Sequence, residues 1–242
     1  MNERKPPVGI AQLRVAGGRL GRALRSGVLP LFVLTCAVEA ALLPLIAQTA
    51  SGESGPIAGG FIGLAMLLLS LVDLVRLSAY APLRRVALDG VHLGVADAFR
   101  ESAGRMIPVF LLKQLIGIIV LAAAAIFLVL GVQMIAIPWA ITTFALAPAI
   151  YLVAARDRNL VRALRDSLRI ARDNLFAVFG IQSALLVLAV WLGQLVPQLV
   201  DTATSPFTAT YALVAVVLTY RFAHFVGMST LFLALDQSGH CE

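Results

Sequence analysis

The chain has 242 residues, of which 60% are hydrophobic and only 13% are charged, whereas charged residues make up roughly a quarter of an average soluble domain. Several apolar runs exceed the roughly 20 residues that cross a bilayer core, which leaves no room for a separate soluble domain. The net charge of +6 does not indicate nucleic-acid binding, because the cations flank apolar runs, where they determine membrane topology.

Six apolar segments follow one another along the chain, and we predict that each is a transmembrane helix. They are residues 28–48, 56–77, 106–130, 132–155, 175–199 and 207–235. The third and fourth are divided at Gly131, because one helix of about 50 residues would be about 75 Å long and would exceed any bilayer. The predicted fold is therefore all-α: a polytopic bundle of six spans in one membrane domain, residues 1–242.

Three basic stretches beside the spans have the periodicity of amphipathic helices. The clearest is 158–172, in which the apolar residues Leu160, Leu164 and Leu168 occupy a different face from the cations. Stretches 91–106 and 13–25 follow the same plan. We predict that these helices lie on the membrane surface, and that one stripe of arginines contacts anionic lipid, namely Arg158, Arg162, Arg165, Arg169 and Arg172.

The distribution of cations predicts the orientation. Of the 19 Lys and Arg residues, all but Lys113 and Arg221 lie in the N-terminal stretch, around the second-to-third connection or in the fourth-to-fifth connection. The other connections carry only Glu53 and Asp201 as charges. Because Lys and Arg in short loops stay in the cytoplasm, we predict a multi-pass protein of the cell inner membrane with both termini cytoplasmic.

An internal repeat is also predicted. Residues 98–102 (AFRES) parallel residues 163–167 (ALRDS), and an Ala-Pro pair stands upstream of each at 81–82 and 147–148. Three units result, each an interfacial helix followed by a two-span hairpin: residues 10–80, 83–155 and 158–235. The alternative is that any amphipathic helix leading into a span would look similar.

One stretch carries a family resemblance. Residues 145–148 (ALAP) close a span, and 160–167 (LVRALRDS) and 171–175 (ARDNL) follow. This pattern resembles a signature of six-span bacterial inner-membrane proteins, which include the membrane domain of some glycerophosphoryl diester phosphodiesterases and related uncharacterised families. The resemblance implies a membrane module. It implies no phosphodiesterase activity, because we find no catalytic barrel in this sequence.

Four polar residues within or beside the spans form a candidate intramembrane network: Glu39, Lys113, Gln133 and Arg221. Such groups are costly in hydrocarbon, and two interpretations are open. In the structural one, Asp73 pairs with Arg76, Lys113 extends to the interface, and Glu39 is neutralised by Arg221 or Lys113. In the functional one, the four residues line a polar cavity that conducts a proton or binds an anionic headgroup.

The sequence contains no motif for catalysis, and we predict no enzymatic activity, no cofactor and no metal site. Cys36 and Cys241 lack ligand or disulfide spacing. The leading hypothesis is a non-enzymatic scaffold, accessory subunit or lipid-interacting module. Its expected partners are anionic lipids of the inner leaflet and a protein partner or second copy, without nucleic acid. The alternative is a transporter or lipid-translocating permease that uses the intramembrane charges.

Overall fold

The computed structural model describes residues 6–51, 56–129, 136–201 and 206–241. In these ranges the chain forms helices joined by short turns, and the predicted all-α class is confirmed. The helices of the described ranges are α1 (Ile10–Ala23), α2 (Val28–Ser51), α3 (Pro56–Ser78), α4 (Tyr80–Leu88), α5 (Val95–Val129), α6 (Ala136–Arg156), α7 (Leu160–Asp173), α8 (Leu175–Asp201) and α9 (Pro206–Gln237).

Several helices are long and apolar enough to cross a membrane. Four qualify alone, and α1 with the first part of α2, bent by 78° at their junction, could count as a fifth span. The apolar stretch Thr143–Arg156 of α6 is shorter. The four are Ile62–Leu88, Val95–Ala123, Leu175–Leu199 and Thr208–Gln237. The count of six spans and the repeat stay predictions, and the boundary at Gly131 lies outside the described residues.

The second predicted surface helix is not a separate element. α5 is one helix of 35 residues from Val95 to Val129, so the amphipathic stretch continues into the apolar one. Extending a helix adds one hydrogen bond per residue, whereas starting another requires a costly nucleus. The break comes earlier: α4 ends where Gly90 adopts a φ of +70°, a conformation that costs glycine little.

Polar contacts gather the short helices into one arginine-rich layer, which consists of α1, α4, α7 and the turns that adjoin them. The N–H of Val8 donates to Asn174 at the start of α8 (2.8 Å), and the His240 ring contacts the Pro6 carbonyl (3.0 Å). Arg85 of α4 pairs with Glu101 of α5 (3.0 Å). Basic stretches that are far apart in sequence therefore lie close together.

The long helices expose apolar side chains on their outer faces. Leu64, Leu121 and Val187 are 58%, 71% and 68% exposed, whereas Tyr151 and Phe232 are buried in the core. Soluble monomers seldom expose apolar surface this extensively, and such surface marks contact with lipid or protein. This arrangement fits a protein whose outer helix faces lie in a membrane.

Candidate functional site

The most extensive charged cluster inside the bundle joins four long helices, and we call it the span network. Glu39 of α2 lies between two arginines: Arg76 Nη2 of α3 donates to Glu39 Oε2 (2.5 Å), and Arg221 Nε of α9 donates to Glu39 Oε1 (3.2 Å). Arg221 Nη1 is 3.8 Å from Asp73 of α3, and Asp73 accepts a hydrogen bond from Lys113 of α5 (2.5 Å). A chain of ion pairs therefore crosses the bundle.

The span network contains more cations than carboxylates. Two carboxylates, Glu39 and Asp73, face three cations. The Arg76 side chain is only 8% exposed and lies over the Phe32 ring at 5.6 Å. Its Nε and Nη1 atoms are buried, and nothing among the described residues accepts a hydrogen bond from them. The network can therefore accept additional negative charge.

The structure brings three of the four predicted network residues together, and of the two partners expected for Glu39 it is Arg221 that binds it. Glu39 contacts Arg221 directly, whereas Lys113 reaches the cluster through Asp73. The expected pair of Asp73 and Arg76 is replaced by Asp73 with Lys113 and Arg76 with Glu39. Lys113 therefore points to a carboxylate of α3. Gln133 lies outside the described residues.

A second cluster, which we call the Asp236 cluster, was missed in the sequence. The Asp236 side chain near the end of α9 is fully buried. It accepts hydrogen bonds from Arg84 Nε of α4 (2.9 Å), from Tyr151 Oη of α6 (2.9 Å) and from Arg156 Nε at the end of α6 (2.8 Å). One carboxylate thus joins α9 to α4, a helix of the arginine-rich layer, and to the end of α6.

The sequence does hold a signal for this cluster. Asp236 is the one carboxylate between Asp201 and Glu242, and it directly follows a long apolar run. Arg156 follows another apolar run in the same way, and Arg84 follows the short uncharged stretch 77–83 beyond the second predicted span. A lone acid and two arginines at neighbouring span ends favour an ion pair, because an unpaired buried charge is costly.

α7 presents three surfaces. Small side chains are buried, and Ser167 Oγ donates to the Ala145 carbonyl of α6 (2.7 Å). The predicted leucine face is divided: Leu160 and Leu164 are half-buried and pack against the core, whereas Leu168 is 53% exposed. The arginine stripe lies on the open side: Arg158 is half-buried, whereas Arg162, Arg165, Arg169 and Arg172 are exposed.

The exposed surface formed by α7 and the first turn of α8 is amphipathic in its own right. Val161, Leu175 and Phe176 are exposed beside the arginines, Phe176 to 93%. Arg162 is 3.7 Å from Asp166, and Arg172 is 2.9 Å from Asp173, so two of the cations are partly compensated. Arg165 and Arg169 form no ion pair with any described carboxylate. The guanidinium groups of α7 can therefore bind anions from outside the chain.

Within the described ranges, no three His, Cys, Asp or Glu side chains lie close enough to share a metal ion. The chemistry that the two clusters and the α7 surface offer is charge pairing and anion binding. No known family, curated protein or solved structure matches the chain.

Proposed function

We propose that this protein is a non-enzymatic membrane module that binds anionic lipid headgroups through α7. The exposed arginine stripe beside exposed apolar side chains carries this proposal. Guanidinium groups bind phosphate oxygens in a bidentate manner, and the apolar side chains Val161, Leu168 and Phe176 suit the adjoining acyl region. The opposite face of α7 packs on α6 through Ala163 and Ser167, so the stripe is held on a rigid support.

The topology that accompanies this proposal is the one predicted from the cations. Six spans would hold the arginine-rich layer at the inner leaflet of the cell inner membrane, where anionic lipids attract Lys and Arg. The protein would then act as a scaffold or accessory subunit, with a protein partner or a second copy against its exposed span faces. The resemblance to membrane domains of glycerophosphoryl diester phosphodiesterases supports the same module.

The test is a matched pair of charge-neutralising variants. Arg165→Gln with Arg169→Gln removes two unpaired cations from the stripe, and Arg14→Gln with Arg25→Gln removes two exposed cations elsewhere in the arginine-rich layer. At about 1 kcal/mol per surface cation, the first pair should weaken phosphatidylglycerol binding by roughly tenfold or more. Native mass spectrometry of the protein in mild detergent counts the bound lipids.

Two outcomes contradict the proposal. The α7 variant could retain as much phosphatidylglycerol as the wild type, or the control variant could lose as much as the α7 variant. In the second case the binding would reflect net charge and not the stripe. Phosphatidylcholine, which has no net charge, should be retained equally by all three proteins.

A second candidate function is passage of an anionic group, such as a lipid headgroup, through the bundle. The observation that favours it is the excess cation of the span network together with the two unbonded nitrogens of Arg76. An anion at Arg76 would complete the charge balance. In this case Arg76→Gln should abolish the flipping of a fluorescent phosphatidylglycerol in proteoliposomes while Arg165→Gln leaves its rate unchanged. Equal rates in Arg76→Gln and the wild type exclude this function.

A further inference from the structure

A cavity of about 390 Å³ opens between α1 and the end of α4. Its size falls in the range of small-molecule sites. Arg19 and Arg22 of α1 line one side, and Leu88 with its neighbours in the last turn of α4 lines the other. Gly90 and His92, in the turn that follows α4, complete the lining. The cavity thus combines a cationic wall with an apolar wall.

The turns at its edge fix the shape of the cavity. The N–H of Gly27, just after α1, donates to the Leu93 carbonyl (2.9 Å), which ties α1 to the turn after α4. The backbones touch here, since a Cβ on Gly27 would lie 2.5 Å from backbone atoms of Gly94. Only glycine permits this approach. The cationic wall is therefore held at a fixed distance from the wall formed by α4.

The two arginines of the cavity carry charge that the protein does not compensate. Arg19 and Arg22 are three residues apart and share a helix face, and neither pairs with a carboxylate among the described residues. The acid at the end of α4, Asp89, is paired with Arg84 (3.5 Å). Two adjacent guanidinium groups without an internal anion favour binding of a phosphoryl group, which they can hold through several charge-assisted hydrogen bonds.

We infer that this cavity binds a phosphoryl group through Arg19 and Arg22, with the α4 wall covering the glycerol or other small group attached to it. The site is separate from the α7 stripe. The inference rests on the proposed function only if the phosphoryl group belongs to a membrane lipid. A soluble phosphate ester has the same chemistry, and the experiment distinguishes the two sources.

The experiment measures binding of phosphatidic acid to the full chain in detergent by native mass spectrometry, with glycerol 3-phosphate as the soluble competitor. Arg19→Gln with Arg22→Gln should weaken binding by about 100-fold, because charge-assisted hydrogen bonds to both guanidinium groups are lost. Arg14→Gln with Arg25→Gln, the control of equal charge, should change it less than about twofold. These proteins are compared in a background that carries Arg165→Gln and Arg169→Gln, which removes phosphatidic acid bound by the α7 stripe, so that failure here and failure of the α7 proposal are distinguishable.

A second variant tests the cavity without changing charge. Leu88→Trp should fill the space beside the arginines, so that a phosphoryl group can no longer reach both guanidinium groups. The loss of these charge-assisted hydrogen bonds should lower the affinity by about tenfold or more. A third measurement avoids substitution: a phosphatidic acid with a photoreactive headgroup should label peptides that contain residues 86–92 in the wild-type protein. Labelling confined to other segments overturns the inference, even where the arginine variant does not fold.

The competition identifies the source of the phosphoryl group. Tight phosphatidic acid binding that millimolar glycerol 3-phosphate does not displace indicates a lipid headgroup. Binding of glycerol 3-phosphate without preference for the lipid indicates a soluble ester. The inference is overturned if neither probe binds, if the control variant loses as much affinity as the cavity variant, or if Leu88→Trp binds as well as the wild type.

Discussion

The two charged clusters differ in how completely their buried polar atoms are hydrogen-bonded, although α9 contributes to both. The Asp236 carboxylate is fully buried and accepts from two arginines and a tyrosine. The span network, about 22 Å away along the helix at 1.5 Å per residue, leaves two nitrogens of Arg76 unbonded. A satisfied buried cluster fixes the fold, whereas a cluster with spare donors retains capacity for a ligand.

The largest effect is expected at Asp236. Asp236→Asn preserves the shape of the side chain but leaves Arg84 and Arg156 without their shared carboxylate. Breaking a buried pair in this way costs about 3–5 kcal/mol, and thermal unfolding in detergent should show a markedly lower midpoint. Asp89→Asn is the control, because its carboxylate is 46% exposed and 3.5 Å from Arg84. Equal midpoints for the two variants would show that the Asp236 cluster does not hold the layer together.

Removal of an acidic side chain from the span network should lower the stability of the protein more than removal of a basic side chain. Glu39→Gln leaves three cations facing one carboxylate, at a cost of about 3 kcal/mol for a broken buried pair. Arg221→Gln leaves two cations with two carboxylates, and the Arg221 side chain is less buried than that of Glu39. The loss of stability should therefore be smaller. The midpoints of thermal unfolding of the two variants are to be compared in the same detergent. A larger loss for Arg221→Gln would contradict the cation excess described above.

Tyr151→Phe is expected to have an intermediate effect. The substitution removes only the hydroxyl that donates to Asp236 (2.9 Å), and the ring can keep its stacking on Phe232. Loss of one hydrogen bond to a charged group costs about 1.5–3 kcal/mol. The midpoint of thermal unfolding should therefore fall less than in Asp236→Asn. A midpoint equal to that of the wild type would mean that the arginines alone satisfy the carboxylate.

The smallest effect concerns the reactivity of Cys241, which reports on the Asp236 cluster without altering it. Burial, and then the nearby Asp236 carboxylate, raises the pKa of this thiol well above its ordinary value. A raised pKa keeps the thiol protonated and unreactive at pH 8, since the thiolate is the nucleophile. Iodoacetamide should label Cys241 slowly in the folded protein and rapidly after unfolding, as mass spectrometry of the modified peptide can measure. Rapid labelling of the folded protein would show that Cys241 is exposed to solvent and does not pack beside Asp236.

The sequence predicts the helical class because long apolar runs and a helical period are local properties of the chain. Three of the predicted intramembrane residues also lie in one cluster, because a charge in an apolar run requires a partner. Hydropathy did not show that α5 continues through its amphipathic stretch, since helix boundaries depend on local backbone geometry more than on composition. The six-span count and the orientation stay predictions.

The sequence by itself determined that this protein is built from apolar helices with arginines beside them, because each run carries that information in its own residues. Only the tertiary structure decided which charges meet. Asp73 could pair with Arg76 one turn away, yet it pairs with Lys113 of another helix, and Asp236 joins helices that are about 80 and 150 residues distant in sequence. Such pairings depend on how the helices pack, and a local pattern does not encode the packing of distant segments.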